Sequence, residues 1–418
     1  MGLLNRNKKE KPQQQEPSEQ TFMMFSRETD METIMSAFAD SFEIQHPSGG
    51  NMLHLENQET ILEIHVFLES MNEEWKQNIQ NQKEGMRRFF ALAENENLAV
   101  KQNLIHYIGQ CHAFIIIELT SKRENAQKED FRTVVPVLLE SLKRMDGILV
   151  LDDGMAILDE NGKLILHRDG RSEVERFFPF TYVESPEIFQ NCTKGQIERR
   201  NKNMKALFDR DIYTCELPLN EDDEKVQLRS HQEVAERIVG TLAISLYSEV
   251  LLNPQDQMTV PEARDFVKDV LKDFQIDDAT EVMTPEELKY FMDDNSQEST
   301  RINYSWHYEN LFCLEWILGL MEWKEPTEIC DVGACVRILR EYTSIEELVQ
   351  KTTMRSVKEI LDMADLSYRM DWAAVDARIY GMKPPAGWEE GIIHERHMTL
   401  NWMIRFMDAE WDDVDTPT

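Results

Sequence analysis

The stretch Ala113-Phe114-Ile115-Ile116-Ile117 is a short apolar run whose length and β-branched residues are typical of a buried β-strand. Around it, between residues 21 and 185, the hydrophobic period changes repeatedly between 2 and 3.6. We therefore predict an α+β domain with a mixed sheet for residues 21–185. The predicted strands are 21–25, 61–67, 111–119, 147–151, 155–158 and 163–167, and the predicted helices are 31–39, 84–93, 98–107 and 131–145.

Two local features belong to this half of the chain. The dipeptide Asn161-Gly162 between two short strands is typical of a type I′ hairpin. The glycines form neither a GxGxxG nor a GxxxxGK[ST] motif, so no phosphate-binding loop is predicted. Before this domain, residues 1–20 are polar and lack the apolar region of a signal peptide, which predicts a disordered tail.

From Arg229 onward the pattern is helical almost throughout, and we predict an all-α domain for residues 229–418. Thr284-Pro285-Glu286-Glu287 is a capping box with proline at the first helical position, which marks one helix start. Seven of the eight tryptophans lie in this half, which predicts a tryptophan-rich core. The predicted helices are 233–252, 261–274, 285–292, 304–323, 332–341, 356–380 and 392–407.

Residues 186–228 are predicted to connect the two domains. They contain a basic run composed of Lys194, Arg199, Arg200, Lys202 and Lys205. A basic helix can bind nucleic acid or a membrane. In so acidic a chain, we expect this helix to dock against the protein's own negative surface.

The charge of the chain limits its partners. There are 78 acids and 45 bases, a net charge of −33, and residues 229–418 alone hold 38 acids and 18 bases. Nucleic acids and anionic lipids are recognised by basic surfaces, so neither is an expected partner. No run of about 18 apolar residues is present, and the six cysteines are dispersed, which predicts reduced thiols in a cytoplasmic protein.

Several charged residues of the second half fall on the apolar faces of predicted helices when they are placed at 100° per residue. Isolated buried charges are costly, so these residues must have partners. The resulting hypothesis is either an ion-pair network that fixes helix packing or a ligand-binding or catalytic pocket. Its members are Glu309, Asp362, Asp365, Arg369, Glu395, Arg396 and His397.

No metal or cofactor site is predicted. His394-Glu395-Arg396-His397 is one residue shorter than the zinc protease motif HExxH. His307-Tyr308-Glu309 followed by Cys330 and Cys335 lacks the CxxC spacing of the zinc deaminases. The acidic ending Trp411-Asp412-Asp413-Val414-Asp415 is interpreted as a solvated end whose tryptophan packs back on the domain.

Separate blocks of residues 193–418 together resemble the bacterial family known as domain of unknown function 4272. These blocks include Trp306-His307-Tyr308-Glu309, Tyr368-Arg369, Glu395-Arg396-His397 and Trp411-Asp412-Asp413-Val414. The resemblance does not extend into the α+β half. It implies family membership without implying an activity, substrate or cofactor.

We expect a non-enzymatic, cytoplasmic interaction or regulatory protein, similar in action to an immunity protein, whose acidic surface binds a basic protein partner. The alternative is a hydrolase or another enzyme that uses the carboxylate, arginine and histidine pocket. In that alternative Glu309 or an aspartate acts as general base, and Arg369 or Arg396 holds an anionic group. The sequence leaves the oligomeric state and the presence of enzymatic activity open.

Overall fold

The computed structural model describes residues 19–39, 44–47, 50–95, 97–122, 127–151, 154–184, 189, 191–255 and 258–418. Almost all of the predicted disordered tail, residues 1–20, lies outside these ranges. The chain divides into two compact units, one that ends at Phe180 and one that begins at Thr181. The α+β character of the first unit and the helical character of the second confirm the predicted fold class.

The first unit is built on one sheet with helices on both of its faces. Its described strands lie in the order β2-β3-β4-β5-β1-β6-β7-β8. The strands are β1 (Glu19–Ser26), β2 (Ile44–Pro47), β3 (Met52–Glu56), β4 (Thr60–Leu68), β5 (Ala113–Ser121), β6 (Gly147–Leu151), β7 (Ala156–Leu158) and β8 (Leu164–His167). The helices are α1 (Met31–Ala39), α2 (Glu73–Ala91), α3 (Leu98–Gln110) and α4 (Gln127–Met145).

Side-chain alternation explains how the sheet is covered. In β4, buried residues alternate with partly exposed ones, as expected for side chains that point to opposite faces. One core contains residues of α1 and α4, such as Phe38 and Leu142, and the opposite core contains residues of α2 and α3, such as Phe90 and Leu104. In β5, Ala113, Phe114 and Ile115 are buried in succession because helices cover both faces there.

Two details of the predicted sheet are wrong. Every described strand pair is antiparallel, so the sheet is not mixed. The hairpin at Asn161-Gly162 is not type I′, because Gly162 has a φ of 74° while Asn161 does not have a positive φ. The turn is stabilised instead by the Asp159 side chain. Its Oδ1 accepts hydrogen bonds from the backbone N–H groups of Asn161 and Lys163 at 2.9 and 2.8 Å.

From Lys194 onward, all the regular secondary structure described in the second unit is helical. Its helices are α5 (Lys194–Phe208), α6 (His231–Leu252), α7 (Val260–Asp273), α8 (Pro285–Met292), α9 (Glu298–Ser305), α10 (His307–Ile317), α11 (Val332–Leu339), α12 (Ile345–Lys351), α13 (Val357–Ile379) and α14 (Glu390–Met403). Helix α6 is buried along most of its length and forms the centre of the main core. Trp316, Trp402 and Trp411 lie in that core, as the composition predicted.

Two predicted helices are shorter than expected. The helix predicted for residues 304–323 is divided at Trp306 into α9 and α10, and α10 ends at Ile317. Gly319 has a φ of 72°, and Leu320 N–H donates to the Glu315 carbonyl, which is the glycine-capped helix end known as a Schellman motif. The helix predicted for residues 392–407 ends at Met403, because Arg405 adopts a left-handed backbone conformation with a φ of 54°.

Among the described residues, every helix is too short or too polar to span a lipid bilayer.

Candidate functional site

Glu309 and Arg396 form a buried ion pair between α10 and α14. Arg396 Nε donates to Glu309 Oε2 at 2.9 Å, and the two side chains are 1% and 2% exposed. The other oxygen, Oε1, accepts from the Cys330 backbone N–H at 2.6 Å. The Arg396 guanidinium also lies over the rings of Phe312 and Trp323. Both charges are thus neutralised and hydrogen-bonded inside the unit.

A second buried cluster joins α13 to α5. Arg369 donates from Nε and Nη2 to the two oxygens of Asp365 at 2.9 Å each, and both side chains are almost fully buried. Asn203 on α5 donates to the same carboxylate at 2.8 Å. One turn earlier, Asp362 accepts from Lys202 of α5 at 2.7 Å and from Lys358 at 3.0 Å.

The basic run of α5 is largely occupied by acids of its own unit. Arg199 pairs with Asp223, and Arg200 pairs with Glu216. Both arginine side chains are at most 2% exposed. This agrees with the expectation that the basic helix docks on the protein's own negative surface.

His397 belongs to a third cluster. Its Nδ1 lies 2.8 Å from Asp371 Oδ2, and its Nε2 lies 3.2 Å from the Asn401 amide nitrogen. His397 and Asp371 are 2% and 1% exposed. The seven predicted residues are therefore divided among three clusters and Glu395, which stands apart from the ion pairs.

Glu395 lines a cleft between α8, α9, α10, α14 and the C-terminal segment, which we call the acidic cleft. Its volume is about 380 Å³. The lining residues are Glu286, Glu287, Thr300, Asn303, Tyr304, His307, His394, Glu395, Met398, Trp411, Asp412 and Val414. Four of these described residues are carboxylates, and none is a lysine or an arginine.

The start of α8 positions three of the four carboxylates. Thr284 and Glu287 form the predicted capping box, and Glu287 is buried in a pair with Arg237 at 2.7 Å. Asp412 accepts from the Thr284 hydroxyl at 2.6 Å and from the Glu286 N–H at 3.1 Å. A carboxylate at a helix start is stabilised by the partial positive charge there. Glu286 is paired with exposed Lys289.

Glu395 differs from Glu286 and Glu287 because its carboxylate has no ion pair among the described residues. It also lacks the hydrogen bonds to the start of α8 that hold Asp412. Burial and the negative charge of Glu309 raise the pKa of Glu395 to about 7, although a hydrogen bond with Asn310 opposes the shift. Burial, with the nearby positive charge of Arg237, lowers the pKa of His307 to about 3. His307 is therefore neutral near pH 7, while Glu395 is only partly ionised.

Part of this cleft was predictable from the sequence. The capping box placed Glu287 at a helix start, and Trp411 packs back on the unit as expected, at 5% exposure. The convergence of Tyr304, His307 and Asp412 was not predicted, because it depends on how α9, α10 and the C-terminal segment meet. His394 is exposed, and its Nδ1 lies 3.2 Å from the Thr416 hydroxyl.

A larger cavity of about 530 Å³ lies on another side of α10. Its wall includes Glu309, Cys330, Trp306 and Tyr308, whose hydroxyl donates a hydrogen bond to Glu249. Since Glu309 already accepts from Arg396 and from the Cys330 N–H, it has little capacity left for a ligand there. Sequence reasoning also missed Glu315, which is fully buried and has its pKa raised to about 8 by burial.

Comparison with known proteins gives one match. The model of the family described as Domain of unknown function (DUF4272) matches residues 199–414, which include α6 to α14 and the whole acidic cleft. No curated protein and no solved structure matches the chain.

Proposed function

Since the chain belongs to the DUF4272 family through residues 199–414, and that family is described without a function, we propose a role from the geometry of the acidic cleft. The second unit binds a basic protein partner, and a lysine or arginine side chain of that partner enters the cleft. The observation that carries the proposal is the unpaired carboxylate of Glu395 in a cleft lined by three further acids.

The cleft has the chemistry that cationic side chains require. Carboxylates accept charge-assisted hydrogen bonds from ammonium and guanidinium groups. Aromatic rings attract the same cations, and Tyr304 and Trp411 line the cleft. The chain itself supplies a precedent, because the Arg237 guanidinium pairs with Glu287 and lies 4.9 Å from the Trp411 ring centroid.

The overall charge supports the same partner class. A net charge of −33 accelerates encounter with basic proteins and repels acidic ones. The six free cysteines are compatible with a reducing compartment, so we place this interaction in the cytoplasm. A regulatory or immunity-like inhibitor would act in this way, by covering a basic surface of its partner.

The buried clusters support a binding role over catalysis. Arg369 and Arg396 are both paired with carboxylates and almost fully buried, so neither offers a free guanidinium for an anionic substrate. These pairs join α10 to α14 and α13 to α5, and we assign them a structural role.

The test is the binding of a fluorescent octa-arginine peptide to the full chain as a function of salt. We expect the association rate to fall steeply between low and high salt. The variant Glu395→Gln/Asp412→Asn should bind more weakly than Asp265→Asn/Glu341→Gln, which removes two charges at exposed sites outside the cleft. Equal binding by the two double variants, or rates that do not depend on salt, would contradict the proposal.

One observation favours acid–base catalysis as the second candidate. A carboxyl with a pKa of about 7 in an open cleft, beside a neutral histidine, is the arrangement expected of a general acid or base. In that case Glu395, rather than Glu309, is the candidate base. A hydrolytic activity of the purified chain that is lost in Glu395→Gln, with folding unchanged, would support this alternative.

A further inference from the structure

A second chemical feature lies in the first unit, on the sheet and outside the region matched by the family model. Glu63 on β4 and Glu118 on β5 are directly opposite each other in the antiparallel register. His65 lies two residues after Glu63, so it is on the same face of β4. The ligand atoms of these three side chains all lie within 4.8 Å of one another.

This arrangement is unfavourable without a cation. Like charges directly opposite on neighbouring strands destabilise a sheet. Within the described part of the chain, Glu118 has neither an ion pair nor a hydrogen bond that would offset the repulsion. Lys122 is occupied by Glu56 and by the Asn57 carbonyl. His54 on β3 lies 3.5 Å from Glu63 Oε1 and can offset that charge only when it is protonated.

The same arrangement suits a divalent transition metal. Imidazole nitrogen and carboxylate oxygen are ligands of Zn²⁺, with bonds of about 2.0 to 2.2 Å. In a tetrahedral site such bonds place neighbouring ligand atoms about 3.4 Å apart, which these side chains can reach by small rotations. Because β4 and β5 fix the spacing of the three side chains, little reorganisation is needed.

We propose that Glu63, His65 and Glu118 bind one Zn²⁺ ion at a solvent-accessible part of the sheet, with water completing its coordination. Glu63 and His65 are partly exposed and Glu118 is exposed, so the ion can enter from solvent. The cation would remove the cross-strand repulsion and tie β4 to β5. Three protein ligands with an open position are typical of catalytic or exchangeable zinc, while structural sites use four. This site is independent of the acidic cleft and of the function proposed for it.

The experiment is calorimetric titration of Zn²⁺ into the full chain after treatment with a chelator, with a phosphine reductant present to keep the thiols reduced. We expect one zinc ion per chain to bind at this site. Loss of even an outer-shell partner weakens metal binding by about 10- to 100-fold. His65→Gln and Glu118→Gln should therefore each weaken binding by about tenfold or more.

The matched control is His112→Gln. His112 also lies beside a glutamate, with Nδ1 3.0 Å from Glu69 Oε2, but it is not part of the cluster of three ligands. Its replacement should leave zinc affinity within about twofold of wild type. Unchanged affinity in His65→Gln and Glu118→Gln, with circular dichroism showing intact folding, would overturn the proposal.

A second measurement uses the wild-type chain, so it does not depend on whether the variants fold. Zinc that binds only the native chain should raise the unfolding temperature of the first unit, and above the dissociation constant the rise should grow with the logarithm of the free zinc concentration. Absence of any zinc-dependent shift in the wild-type chain would also overturn the proposal.

Discussion

Arg396 on α14 donates a hydrogen bond from Nε to Oε2 of Glu309 on α10 at 2.9 Å, in an interior where neither side chain is more than 2% exposed. The pair joins two helices whose apolar residues contribute to the main core. A backbone N–H and two aromatic rings complete its surroundings. Because both charges of this pair are occupied inside the unit, we assign the pair a structural role in the packing of α10 on α14.

Glu309→Gln should lower the free energy of unfolding of the second unit by about 3 to 5 kcal/mol, because Arg396 would be left as an unpaired buried charge. Intrinsic fluorescence during urea unfolding reports on this unit, since seven of the eight tryptophans lie in it. Asp269→Asn, which breaks an exposed pair with Lys272, is the control and should unfold near the wild-type midpoint.

The double variant Glu309→Leu/Arg396→Met tests whether the role of this pair is structural. Replacing both charges with apolar groups leaves no buried charge unpaired, so most of the stability should return. A double variant as unstable as Glu309→Gln would count against the structural assignment.

Gly240 on α6 is the point of closest approach to the segment before α8. A Cβ atom there would overlap the Val282 carbonyl oxygen and the guanidinium of Arg237, the partner of Glu287. Gly240→Ala should therefore destabilise the second unit by about 1 to 3 kcal/mol. Gly195→Ala on α5 meets only ordinary contacts and should change the unfolding midpoint little. The check is the same urea unfolding, and equal midpoints for the two variants would contradict the prediction.

Glu315 should make the second unit less stable as pH rises. Its pKa is about 8 in the folded chain and near 4.5 in the unfolded chain. Between these values the unfolded state holds fewer protons, so stability falls with pH, by on the order of several kcal/mol. Urea unfolding from pH 5 to 8 should show this fall in the wild type and a smaller one in Glu315→Gln. Parallel curves for the two proteins would show that Glu315 is ionised in the folded chain.

Binding of a basic peptide should strengthen between pH 6 and 8. A cation binds the ionised form of Glu395, whose pKa in the free protein is about 7. His307 has a pKa of about 3 and stays neutral throughout this range. Fluorescence anisotropy of the octa-arginine peptide should therefore show tighter binding at pH 8 than at pH 6. The difference should shrink in Glu395→Gln, and an undiminished difference would assign the titration to another group.

Helical periodicity was sufficient to predict that Glu309 and Arg396 are buried, because burial follows from position on one helix. Their pairing was only one of several combinations that the sequence allowed. Asp362, assigned to the same network, instead meets Lys202 of α5. The partner of His397 is Asp371, which the sequence did not single out. Such pairings depend on how helices distant in sequence pack against one another. The hydrophobic periodicity of a single helix carries no information about that packing.

In the sheet, too, the positions of most strands were predictable from the sequence, but the pairing between strands was not. Alternation and β-branching located most strands, including β5 and β6, within about two residues of their observed ends. They did not determine strand direction, which depends on how the connections cross the sheet. The opposition of Glu63 and Glu118 follows from the register of β4 against β5 and was likewise not predictable from either strand alone.

The most direct test of the acidic cleft compares two peptides that differ only in charge, acetyl-Gly-Arg-Gly-amide and its citrulline counterpart, by ligand-observed saturation-transfer NMR at pH 8. Citrulline keeps the shape of arginine and lacks its positive charge. We expect saturation transfer to the arginine peptide with the wild-type chain, a much weaker signal with Glu395→Gln, and little signal for citrulline in either protein. Equal signals for the two peptides, or an arginine signal unchanged in Glu395→Gln, would contradict the assignment of the cleft as a site for cationic side chains.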